Sequence, residues 1–128
     1  MYGKIMHAPK ETQALLTQIT KRADFLKIQS KGRKWVSHGL IVQTMPGQPG
    51  EMRIGYTVSK KVNKSAVKRN RIKRRLRAVA ADVLPSGAAT GHDYILVGRP
   101  QTATRSYETL CKDLRWCLRK MELENKDA

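Results

Sequence analysis

The stretch SAVKRNRIKRRLRAVAADVL, residues 65–84, constrains the fold more than any other part of the chain. At 100° per residue, Ile72, Leu76, Val79, Ala80 and Val83 fall on one face of a helix. Asn70, Arg71, Arg74 and Arg77 take the opposite face, and Lys68, Arg69, Lys73 and Arg75 fill the flanks. One side must therefore be covered by a sheet, while the other three sides carry charge. Ser65 suits the N-cap. Eight of the fourteen residues from Lys64 to Arg77 are Lys or Arg, and no acid occurs between Glu51 and Asp82. Such repulsion works against folding, so the compensating negative charge is expected from outside the chain.

The whole chain agrees. It holds 26 Lys+Arg against 10 Asp+Glu, a net charge of +16. That balance points to a polyanion, RNA or DNA before an anionic membrane. A merely solvated face is the bland alternative. Solvated helices, however, mix Glu with Lys at i,i+4 for a few tenths of a kcal/mol per pair. Here every such charged pair repels. Arginine outnumbers lysine five to one between Arg69 and Arg77, and its planar fork suits phosphate. Composition does not separate DNA from RNA. A helix lying flat on a sheet can touch phosphates along its length, which suits shape-based recognition of folded RNA.

The 128 residues suit one domain, with residues 1–11 a polar tail expected to be disordered. ALLTQITKRADFLKIQSKG reads as a helical region with a break near Thr20 and a stop at Gly32. HGLIVQTM (38–45) reads as a strand, with Leu40 and Val42 on one side and Ile41 and Gln43 on the other. PGQPG (46–50) is a turn. RIGYTVSKK (53–61) alternates, Ile54, Tyr56 and Val58 against Arg53, Gly55, Thr57 and Ser59. After the basic helix, LPSGAATGHD (84–93) reads as a loop and YILVG (94–98) as a central strand. A last helix begins near Thr104, with Tyr107, Leu110, Cys111, Leu114, Cys117, Leu118 and Met121 at i, i+3, i+4, i+7 spacing. The class is α+β: a two-layer sandwich with helices on one face of a mostly antiparallel sheet of three to four strands, in the order αββαβα or αβββαβα.

Several function classes are disfavoured. No apolar run approaches the roughly 20 residues of a membrane span. The first residues show no apolar signal core, so a cytoplasmic location is expected. Cys111 and Cys117 fall on an apolar face and read as reduced core thiols. His7, His38 and His92 lack metal-ligand spacing. The ten acids are dispersed, with no pair suited to a two-metal nuclease. No Ser/His/Asp constellation is recognisable. Catalysis by this protein's own side chains is not expected.

RIGYTVSKKVNKSAVKRNRIKRRLRA resembles the signature region of the bacterial ribonuclease P protein subunit. The family has a strand ending in V-S-K-K, a short linker, and a helix opening R-N-R-x-K-R-x-x-R. Val58-Ser59-Lys60-Lys61, Arg69-Asn70-Arg71, Lys73-Arg74 and Arg77 match in order and spacing. RADFLKIQSKG, DYILVGRP and SYETLCKDLRWCL agree more loosely, which extends the likeness from residue 22 to about 120.

The resemblance implies a left-handed βαβ crossover through the basic helix. It implies a partner RNA that performs the chemistry, hydrolysing precursor tRNA at the mature 5′ end. Lys64, Lys68, Arg69, Asn70, Arg71, Lys73, Arg74 and Arg77 would face that RNA. A cleft between the first helix and the outer sheet face would take the single-stranded 5′ leader, with Phe25, Ile41, Gln43, Thr57, Ser59, Lys60 and Lys61 as its contacts. The protein would bind no cofactor; magnesium would serve the RNA-containing holoenzyme. No membrane or DNA partner is implied, and the protein alone is expected to be monomeric. Gln29 stands where better-known members carry a second aromatic on the first helix, and Leu40 and Gln43 stand where their first strand often carries aromatics, so leader binding would rest more on Phe25 and charge. A plain core role for Phe25 stays open, and Tyr56 is expected in the core. For Trp35 and Trp116, partner contact and rim packing both stay open. A general RNA-binding protein and a DNA-binding architectural protein are the competing readings.

Overall fold

The computed structural model describes residues 16–125; the expected tail at 1–11 lies outside them. The elements run β1 (Leu16–Gln18), α1 (Arg22–Lys31), β2 (Arg33–Val36), β3 (Leu40–Pro46), β4 (Met52–Thr57), α2 (Ala66–Gly87), β5 (His92–Gly98), a 3₁₀ turn (Pro100–Ala103) and α3 (Tyr107–Lys120). One sheet holds five strands in the order β1-β4-β5-β3-β2. β5 is central, as its nearly continuous apolar run requires. It pairs antiparallel with β3, Leu40 opposite Gly98, and parallel with β4, Met52 opposite His92. The parallel β4–β5 pair is joined by the crossover through α2.

The sheet corrects the expectation in three respects. It has five strands rather than three to four, and Leu16–Gln18, expected to be helical, is the strand β1, so a strand precedes the first helix. It is mixed rather than mostly antiparallel, since β1–β4 and β4–β5 are both parallel. And helices cover both faces. α2 and α3 pack on one face over Leu40, Val42, Ile54, Tyr94 and Leu96. α1 packs on the other, where Ile28 and Ile19 meet Ile95, with Phe25, Met45 and Val97 at the fringe. The second cover follows from β5 being apolar on both sides: Tyr94 and Leu96 point to α2, Ile95 and Val97 to α1.

α2 sits as its sequence period demands. Ile72, Leu76, Val79, Ala80, Val83 and Leu84 are its buried residues. Ser65 caps it by accepting from the Lys68 N–H at 3.3 Å. The helix runs on through Pro85 to Gly87, beyond the expected end. Pro85 fits there because only the last turn loses a backbone hydrogen bond. α3 starts later than expected, at Tyr107 with Ser106 as N-cap, because Pro100–Ala103 forms the 3₁₀ turn first. Its apolar stripe is buried as spaced, apart from the exposed Tyr107, and Cys111 and Cys117 are free thiols. Burial pushes the Cys117 thiol up to about 11, which removes it from thiolate chemistry at neutral pH.

Candidate nucleic-acid interface

α2 presents its cations on an anchored rod. Lys64, Lys68, Asn70, Arg71, Arg74 and Arg77 are exposed, while Arg69, Lys73 and Arg75 are half-buried. The half-buried arginines do structural work first. Arg69 Nη1 donates to the carbonyls of Asn63 and Lys64, both at 2.9 Å, and so ties down the linker before the helix. Asn63 Oδ1 accepts from the Ser65 N–H at 2.9 Å. Arg75 donates to the carbonyls of Ala103 and Arg105, and its Nε is buried without a hydrogen-bond partner. Arg77 lies over the Tyr56 ring, 5.2 Å from its centroid. Tyr56 is half-buried on the α2 face, and burial raises its phenol above the usual value against the opposing pull of Arg77.

Between α2 and the start of α3 runs a groove of about 840 Å³, lined among others by Lys68, Arg71, Arg74, Arg75 and Arg105. Three ion pairs occur among the described residues, Arg53–Asp24, Arg53–Asp93 and Arg105–Asp113. None uses a residue of α2. Among the described residues, the cationic face of the helix is therefore left without an ion pair.

The opposite sheet face carries the other set of candidates, and the register orders them in rows. Val36, Ile41, Val97 and Thr57 lie side by side across β2, β3, β5 and β4. Lys34, Gln43, Ile95 and Gly55 form the next row, then Met45, Asp93 and Arg53. α1 crosses over the latter rows. Phe25 rests on Gly55: a Cβ there would stand 2.6 Å from Phe25 Cε2. Phe25 is half-buried, so it both packs and keeps ring surface in reach of solvent. Arg53 fastens the helix. Its Nε and Nη2 grip Asp93 at 3.0 and 2.6 Å, and its Nη1 reaches Asp24 on α1 at 3.1 Å. The Asp93 hydrogen bond, with Asp24 adding to it, raises the Arg53 guanidinium further above its ordinary value despite partial burial. Arg53→Ala is expected to cost about 1–3 kcal/mol, the cost of leaving a buried, hydrogen-bonded carboxylate unsatisfied. A urea melt checks it.

The register thus brings Phe25, Ile41, Gln43 and Thr57 onto one face. Ser59, Lys60 and Lys61 are not on it. The strand ends at Thr57, and Ser59 lies exposed in the turn that follows, its carbonyl accepting from the Val62 N–H at 3.1 Å. Ser59 therefore does not project from the strand as its alternation suggested. Lys60 and Lys61 are exposed in the same turn, between the β4 end and the α2 start. Sequence reasoning passed over Lys34, Val36 and Val97, which extend the open row to the β2 edge. Val97 carried a signal, as an apolar residue on the face of β5 turned from α2. Gln43 Oε1 is buried without a hydrogen-bond partner among the described residues.

Among the described residues, no three His, Cys, Asp or Glu side chains gather as metal ligands. No helix among them is long and apolar enough to cross a membrane.

A family model described as Ribonuclease P matches residues 16–122. The ribonuclease P protein component of Paramagnetospirillum magneticum is 44% identical over 113 residues, 84% of each chain. The RNase P protein of Staphylococcus aureus superposes with a TM-score of 0.65 at 26% identity, over 84% of this chain and 97% of that one. The RNase P protein of Thermotoga maritima, at 21% identity, shares the fold with a TM-score of 0.67, over 80% of this chain and 96% of that one. With its basic helix carried on this sheet, the chain belongs to the ribonuclease P protein family.

Proposed function

We propose that the chain is the protein component of ribonuclease P, holding the RNA subunit on α2 and the 5′ leader of precursor tRNA against the α1 face of the sheet. The observation that carries this reading is the cationic face of α2, anchored by its apolar line and unpaired within the described residues. Lys64, Lys68, Asn70, Arg71, Lys73, Arg74 and Arg77 meet phosphates there, and Arg69 shapes the entry to the helix. On the other face, Phe25 supplies an aromatic surface, Ile41 and Val97 an apolar floor, and Gln43 and Thr57 polar groups. That mixture suits a single strand of variable sequence. Lys60 and Lys61 stand at the β4 end, where a strand leaving the cleft would pass. The left-handed sense of the β4–α2–β5 crossover belongs to the same reading.

The protein supplies binding rather than bond cleavage. Asp24 and Asp93 are held by Arg53, and Asp113 by Arg105, so these carboxylates do not fit a catalytic metal. Magnesium accordingly belongs to the RNA-containing holoenzyme, the protein alone is monomeric, and the complex is cytoplasmic. The test combines the protein with ribonuclease P RNA and 5′-labelled precursor tRNA at low magnesium. Protein alone should be inactive, RNA alone slow and the pair fast; binding without faster leader removal would return a general RNA-binding role.

Phe25→Ala is expected to weaken precursor tRNA binding by the holoenzyme by about 1–3 kcal/mol, the worth of one stacked base. Affinity for mature tRNA, which lacks the leader, should be unchanged. Equal losses for both tRNAs in a folded variant would remove Phe25 from the leader site.

A further inference from the structure

The two tryptophans of the chain, Trp35 and Trp116, meet on the side of the sheet that faces α3. Trp35 on β2 pairs with Val42, whose side chain lies in the α2–α3 core. Its ring stands edge-to-face with Trp116, centroids 6.2 Å apart at 63°. Each remains 37% exposed. Two large indoles left half in solvent form a patch of the kind that marks a binding site.

The surroundings say what kind. Lys112, Arg115, Trp116 and Arg119 fall at i, i+3, i+4 and i+7 on α3 and share its outer face; all four are exposed. Among the described residues, Lys112, Arg115 and Arg119 make no ion pair. Lys120 Nζ lies 5.9 Å from the Trp116 ring centroid. The acid in the lining, Asp113, is already gripped by Arg105 at 2.7 and 3.1 Å. Val36, Arg105, the three cations and Trp116 are among the residues lining a groove of about 720 Å³. Arg105 also lines the groove beside α2. The two grooves therefore adjoin at Arg105, whose charge Asp113 balances.

We propose that Trp35 and Trp116 form a stacking platform for unpaired nucleotides of the ribonuclease P RNA, whose flanking phosphates Lys112, Arg115 and Arg119 hold. This rests on the reading that α2 holds that RNA. Aromatic rings rimmed by arginine and lysine match a single strand, which offers a π-face at every base and a charge at every phosphate. A second copy of this chain, with a net charge of +16, would bring like charge against like. The precursor leader is served elsewhere, since Phe25 and Ile41 lie on the opposite face of the sheet. Lys120 covers part of Trp116 in the free protein and swings to a phosphate when a base replaces it.

Because the chain has no other tryptophan, its emission reports on this platform. The full-length protein is titrated with ribonuclease P RNA, with a ten-nucleotide oligoadenylate and with a blunt RNA duplex. The expected result is saturable quenching by the first two and little by the duplex, with acrylamide access to the indoles reduced in the complex. Trp116→Ala should weaken oligoadenylate binding about 5- to 150-fold, and Arg115→Gln with Arg119→Gln should weaken it while leaving the emission of the free protein unchanged. The glutamine pair keeps the test decisive if Trp116→Ala fails to fold. Unchanged emission while a gel shift shows the RNA subunit bound would overturn the platform and leave the proposed function standing. Failure of the RNA to bind at all would overturn both. Equal quenching by the duplex would reduce the patch to a phosphate contact, and a concentration-dependent change without RNA would assign it to a second copy; either result ends the proposal.

Discussion

Replacing Arg71 and Arg74 together by alanine is expected to weaken assembly with ribonuclease P RNA by about a hundredfold or more, with the fold intact. Both side chains are exposed on the side of α2 turned from the sheet, and neither makes an ion pair among the described residues. A hydrogen bond to a charged group contributes about 1.5–3 kcal/mol, so two phosphate contacts together account for the expected loss. The salt dependence gives an independent check. Each phosphate contact contributes about 0.7–0.9 to the slope of log K against log salt. The double variant should therefore flatten that slope by about 1.4–1.8. Removing two like charges from a helix with no acid between Glu51 and Asp82 should leave the melting temperature unchanged or slightly raised. An affinity loss of only a few-fold, with the salt slope unaltered, would move the RNA contact away from this face.

How far these expectations were legible in the sequence differs from element to element. α2 was legible because two signals agreed: a 3.6-residue apolar period and single-sign charge on the other sides as far as Arg77. Its buried list contains every apolar residue assigned to that line. α3 and β5 were legible for similar reasons. β1 was not. Leu16–Gln18 forms a strand only because it can lie parallel along β4, Leu16 opposite Met52, and a three-residue strand carries no period of its own. Long-range pairing overrides local preference there. β2 was missed because all four of its residues are exposed, so burial never imposed an alternation on it.

The candidate site divides the same way. The outward positions of α2 follow from helix geometry alone. The α1 face depends on register, which places Ile41, Val97 and Thr57 in one row across β3, β5 and β4. Nothing in the spacing of these residues along the chain announces it. Nor does spacing reveal that Arg53 would clamp Asp24 and Asp93, or that Arg69 and Arg75 would turn back to carbonyls of their own chain. Those contacts join segments far apart in sequence. The tryptophans are the extreme case: Trp35 and Trp116 are separated by most of the chain, and only the β2–α3 packing makes them a pair.

Ile72→Ala is expected to cost about 2–5 kcal/mol and to lower the melting temperature by on the order of 10 °C. Ile72 is 3% exposed and sits directly over the end of β5, where a Cβ on Gly98 would stand 2.8 Å from Ile72 Cγ2 and 2.8 Å from Val58 Cγ2. It is the first buried residue of α2; Val67, five residues earlier, is 64% exposed. The basic half of the helix is thus held to the sheet by Ile72 and Leu76, the Ser65 cap and the arginine bonds to carbonyls. Loss of Ile72 should loosen that half and weaken RNA binding indirectly. The two kinds of defect are separable. Saturating RNA binds only the folded form and restores about 2.7 kcal/mol at a hundred times Kd, so the Ile72 variant should recover with RNA concentration and lower temperature. The arginine pair should not recover on cooling. Gly98→Ala supplies the internal control. Alone it forces a methyl against Ile72 and Val58, whereas beside Ile72→Ala one of those two atoms is gone. The double variant should therefore cost less than the two single changes added together, as contacting residues do. A silent Ile72→Ala in thermal melts, or strict additivity with Gly98→Ala, would mean that α2 is rotated on the sheet and that Arg71 and Arg74 do not face outward.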